Sequence, residues 1–159
     1  MFSGINTVGE CHGIARWDGS TWHPLSSGMG DFPWGPYVVD LTVYNGDLIA
    51  GGSFSSAGGV PCNYIARWDG SAWHPLGEGT SDTVGALTVY NGDLIAGGYF
   101  FTAGEVPCNL VARWDGSAWH PLGSGFGGST WPDPRLSDLT VYNGELIAGG
   151  LFTTASGVT

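Results

Sequence analysis

Leu87-Thr88-Val89-Tyr90-Asn91-Gly92-Asp93-Leu94-Ile95-Ala96-Gly97-Gly98 stands again, letter for letter, at 41–52, and once more at 139–150 with Glu145 in place of aspartate. In each copy two alternating apolar runs flank Asn-Gly. That pair suits a type I′ turn, whose two central residues both take positive φ. The stretch therefore predicts a tight antiparallel hairpin whose second strand is stopped by Gly-Gly.

A second string recurs between the hairpins. Ile14-Ala15-Arg16-Trp17-Asp18-Gly19-Ser20-Thr21-Trp22-His23-Pro24-Leu25 returns at 65–76 and at 111–122 with one or two changes. Trp17, Trp68 and Trp114 lie 51 and 46 residues apart, and Asn45, Asn91 and Asn143 lie 46 and 52 apart. The chain is thus three copies of a unit of about 50 residues. Identity this high implies recent duplication or deliberate construction. Each unit reads as four short strands: 86–90, 93–98, 63–68 and 71–76 in the clearest copies. Pro75 ends the fourth strand or marks an edge, because proline has no N–H for a ladder. Residues 54–62 and their equivalents read as a loop. The segments at 26–40 and 123–138 are long and variable, and the one at 77–85 is short. No stretch of ten or more residues has helical periodicity.

Four antiparallel strands at this period, without helix, predict an all-β protein built of four-stranded β-propeller blades. The run 90–98, joined to the Trp68 and Trp73 pair, resembles a kelch repeat, which pairs an inner hairpin ending in Gly-Gly with an outer hairpin carrying tryptophan. The string from Gly51-Gly52 and Phe54 to Ile65-Ala66-Arg67-Trp68-Asp69-Gly70 is closer still to kelch-like repeats of bacterial surface proteins and fungal cortical cell-polarity markers. The resemblance spans nearly the whole chain. It implies the fold and no particular activity, since propellers host many.

Composition narrows the partners. Hydrophobic residues make up 42% of the 159, enough for a packed core. Fourteen acidic residues face four arginines and no lysine, a net charge of −10. No nucleic-acid partner is expected, because phosphate contacts need a basic face, and anionic membrane surfaces are disfavoured likewise. No apolar run reaches the length of a membrane span, and the first residues carry no signal-peptide pattern.

The two ends read as complementary halves of one blade. Residues 1–25 supply strands three and four, and residues 138–159 supply strands one and two. Three blades are too few to close a ring, and bare strand edges invite pairing. The C-terminal hairpin of one chain is therefore expected to pair with the N-terminal hairpin of the next. Such a head-to-tail contact is heterologous and must close to avoid filaments. A homodimer of six blades is slightly favoured over a homotrimer of nine.

His23, His74 and His120 recur once per unit on the outermost strand, where blades splay apart. A structural or surface role is expected, and no metal site. Cys11, Cys62 and Cys108 recur too far apart for a disulfide and without CxxC spacing, so buried free thiols are expected, mildly favouring a reducing compartment. Arg16, Arg67 and Arg113 are expected to stack on a tryptophan or to pair with Asp40, Asp138 or a hairpin acid. The Asp-Gly and Asn-Gly turns should emerge together on one acidic face. The opposite face gathers the departures from the repeat: Trp34 and Tyr37 from copy one, and Trp131, Asp133 and Arg135 from copy three. Aromatic residues on loops over a rigid scaffold suit a carbohydrate or peptide. No catalytic motif and no cofactor signature is present. The leading expectation is a non-catalytic scaffold that self-assembles, with a carbohydrate- or peptide-binding propeller as the alternative.

Overall fold

The computed structural model describes residues 11–30, 35–128 and 133–155, and these contain strands and no helix. In chain order come β1 (Ala15–Trp17), β2 (Trp22–Pro24), β3 (Met29–Gly30), β4 (Tyr37–Tyr44), β5 (Asp47–Ser53), β6 (Ser56–Ala57), β7 (Val60–Pro61), β8 (Ile65–Trp68) and β9 (Trp73–Pro75). The second half repeats the pattern with β10 (Val84–Tyr90), β11 (Asp93–Gly98), β12 (Thr102–Ala103), β13 (Val106–Pro107), β14 (Val111–Trp114) and β15 (Trp119–Pro121). It closes with β16 (Phe126–Gly127), β17 (Arg135–Tyr142), β18 (Glu145–Leu151) and β19 (Thr154–Ala155).

Two complete antiparallel sheets have the order β4-β5-β8-β9 and β10-β11-β14-β15, and two-stranded sheets β1-β2 and β17-β18 flank them. The result is two four-stranded sheets, called blades below, between two two-stranded sheets, called half-blades. β10 packs on both β4 and β17, so the first strands of successive blades line the inside of the arc. The Asn-Gly turns form as the sequence requires: Asn91 and Gly92 have φ of 52° and 87°.

The blade strands differ from the sequence expectation at their ends. β10 starts at Val84, two residues early, and passes a bulge at Gly85. Gly98 permits this, because a Cβ there would collide with the Thr83 carbonyl oxygen. β8 and β14 start late, because Tyr64 and Leu110 hold positive φ, which a strand cannot use. β9 starts at Trp73 because the Asp69 carboxylate ties the N–H groups of Ser71 and Ala72 into the preceding turn. The expected loop at 54–62 contains a small hairpin, β6 with β7, which β3 extends to three strands. Tyr37 and Arg135, expected in loops, are the first residues of β4 and β17.

Three apolar layers hold the arc together. Ile14, Leu25, Phe54 and Trp73 fill the first joint, Ile49, Leu87, Phe100 and Trp119 the second, and Ile95, Leu110, Leu136 and Leu139 the third. Leucines and valines facing the preceding blade seat on the first glycine of its Gly-Gly. A Cβ on Gly51 would stand 2.6 Å from a methyl of Val84, and one on Gly97 would stand 3.0 Å from a methyl of Leu136. The glycines thus serve blade-to-blade contact as well as stopping the strand.

Candidate functional site

On the outer hairpins one polar device recurs three times. Asp69 Oδ1 accepts from the N–H groups of Ser71 and Ala72 and from the Ser71 hydroxyl, each at 2.8 Å, while Oδ2 lies 2.7 Å from His74 Nε2. Asp18 with His23, at 2.6 Å, and Asp115 with His120, at 2.7 Å, repeat it. These donors, led by the backbone N–H of Thr21, Ala72 or Ala118, hold each carboxyl well below the usual carboxylate range. The histidines are bound within their own hairpins. The sequence reading missed this pairing, although the invariant five-residue spacing of Asp and His was its signal.

That depression fixes a sign. An unfolded aspartate takes up its proton near pH 4, whereas the folded one stays ionised lower. The stability these turns supply is therefore complete above about pH 4 and is lost as pH falls toward the depressed folded value. The thermal midpoint of the wild type is expected to fall more steeply between about pH 5 and pH 2 than that of an Asp69→Asn, Asp115→Asn double variant. Thermal melts across that range check it.

Two of the repeated arginines pair with a hairpin acid across the middle of the blade. Arg67 Nη1 lies 2.5 Å from Asp47 Oδ2, and Arg113 Nη1 lies 2.8 Å from Asp93 Oδ2. Asp40 is not such a partner. Its two oxygens accept the N–H groups of Leu41 and, across the joint, Leu87. Cys62 and Cys108 are free and buried, and burial pushes both thiols up to about 11.

Of the residues expected to bind a ligand, Trp34 and Trp131 lie outside the described residues. Tyr37 is exposed and lines an open cleft of about 470 Å³ with Asp82, Thr83 and Tyr99. Asp133 is exposed. The Arg135 guanidinium sits 5.8 Å above the Tyr99 ring, a cation–π contact, so Arg135 is engaged by its own chain. Tyr99 was missed, although it departs from Ser53 and Leu151 at the same place in the repeat. Among the described residues no cluster of three or more histidine, cysteine or acidic side chains could hold a metal ion.

The half-blades expose apolar side chains that the complete blades bury. Ile49 and Ile95 are 0% and 1% exposed, whereas Ile147 at the same place in β18 is 43% exposed. Trp73 and Trp119 are 3% and 5% exposed, whereas Trp22 is 65% exposed. Leu87 and Leu139 are buried, whereas Leu41 is 47% exposed. Beside β18 an apolar cleft of about 530 Å³ opens between Tyr90, Leu122, Leu146, Ile147 and Ala148.

A family model described as a domain of unknown function (DUF5122) beta-propeller matches residues 45–68, which run from the Asn-Gly turn through β5 to the end of β8. No curated protein matches the chain. The match and the all-β architecture together support a β-propeller repeat protein.

Proposed function

We propose that this chain is a non-catalytic structural scaffold: a kelch-like propeller segment that completes its ring by pairing head to tail with further copies of itself. The Gly-Gly seats and the paired tryptophans of each outer hairpin support the kelch-like type. The observation that carries the assembly is Ile147. It is 43% exposed where its two equivalents are 0% and 1%, so its strand is built for a covered position. An exposed β-edge beside an apolar cleft is a pairing site. Two copies close six blades with two identical joints and leave no half-blade unpaired. A carbohydrate- or peptide-binding role rests on the cleft between Tyr37 and Tyr99 and comes second.

Light scattering after size exclusion tests the scaffold reading. The expected mass is two chains of 16.6 kDa each. A folded species of one chain at about 100 µM, where even a weak standard interface would be populated, overturns it.

A further inference from the structure

Resting on that assembly, we infer that the cleft beside β18 receives the β1–β2 hairpin of a second copy in one fixed register, with Arg16 of one copy paired to Glu145 of the other.

The chain contains two finished examples of this joint. β5 pairs β8 as Leu48 with Trp68, Ile49 with Arg67, Ala50 with Ala66 and Gly51 with Ile65. β11 pairs β14 in the same register, Leu94 with Trp114 through Gly97 with Val111. Carried to β18, that register sets Leu146 against Trp17, Ile147 against Arg16, Ala148 against Ala15 and Gly149 against Ile14. The occupant is identified by sequence. Residues 14–25 match residues 65–76, which fill this place on β5, except that Thr21 replaces Ala72.

Three features left open in the single chain close at once. Arg16 and Glu145 have no ion-pair partner among the described residues, whereas the equivalent arginines pair with Asp47 and Asp93. Glutamate is one methylene longer than those aspartates and still reaches a guanidinium in the same row. Trp73 and Trp119 donate their indole N–H to the Leu25 and Leu76 carbonyls of the preceding blade. Trp22 in the cleft finds the equivalent acceptor on Leu122, which lines it. Gly149, finally, meets among the described residues only the Asp138 Cβ at 3.8 Å, where Gly51 and Gly97 are crowded by the next blade. Val38 and Leu41 of the second copy fill that space as Val84 and Leu87 fill it over Gly51. Slippage by one residue is excluded, because it would turn Arg16 onto the apolar face of Leu146 and Ala148.

The test uses the full chain with four changes: Arg16→Glu, Glu145→Arg, both together, and Gly149→Val. Native mass and the dissociation constant are read for each, with the thermal midpoint of the dissociated chain as the folding control. Each single reversal is expected to weaken assembly by about tenfold or more, and the double reversal to restore it to within about threefold. Gly149→Val should abolish assembly while leaving the single chain folded, since among the described residues an added Cβ meets only the Asp138 Cβ, at an ordinary 3.8 Å. Assembly of the wild type without rescue by the double reversal, or unhindered assembly of Gly149→Val, overturns the register and leaves the scaffold reading standing. A wild type that stays a single chain overturns both.

Discussion

Ile147→Arg is expected to yield a folded chain that no longer assembles. In one copy Ile147 is 43% exposed and its ring of neighbours is open, so a longer charged side chain reaches water. In the joint the same position would be closed as tightly as Ile49 and Ile95, which are 0% and 1% exposed. An unpaired guanidinium there costs about 3–5 kcal/mol, two to four powers of ten in the dissociation constant of each joint. A closed dimer has two such joints, so the loss is doubled. Sedimentation equilibrium reads the result, and circular dichroism confirms the fold. Ile95→Arg, the same change one blade earlier, should prevent folding instead. A common effect of both changes on folding, with mass unaltered in Ile147→Arg, would show that β18 is not a joint.

Phe100→Ala is expected to remove about 3–5 kcal/mol from the folded chain. Phe100 is fully buried in the middle layer with Leu87, Leu94 and Trp119, between the two complete blades. Such a loss is about a fifth or more of the stability of an ordinary domain. In a chain of this length it lowers the thermal midpoint by about 6–20 °C. Phe152 occupies the same place in the third copy, is only partly buried, and packs on Phe126 at 4.6 Å between ring centroids. Phe152→Ala should therefore cost distinctly less, and thermal melts of the two variants rank them. Equal losses would mean that the third layer is packed as tightly as the second.

Much of the fold was legible because the repeat states it three times. Asn91-Gly92 demands its turn, the alternation in 87–90 demands a strand, and Pro75 and Gly98 demand their ends. What escaped was set by contacts between repeats. β6 and β7 are two residues each, too short for any pattern to announce, and β3 adds a third strand beside them. Tyr64 and Leu110 look like strand residues but hold positive φ where the chain turns into strand three. The Asp–His pairs were written in the spacing and went unread, because each residue had a sufficient local explanation of its own. Arg135 was legible as a departure from the repeat, but its stacking on Tyr99 joins neighbouring blades and appears in neither copy alone.

The division follows from the range of the forces. Turn type, strand period and repeat length depend on residues within a few positions of one another, and the sequence by itself determined them, together with the ladder inside each blade. Which members of an identical set are buried depends on what stands on the other side of a joint. Ile49, Ile95 and Ile147 share a local sequence but for Glu145, and Trp22, Trp73 and Trp119 share one but for Thr21, yet the tertiary structure alone separates the covered members from the open ones. Burial removes apolar surface from water in proportion to area, whatever the neighbouring letters are. That is why the ladder could be read from the sequence and the two open faces only from the arc.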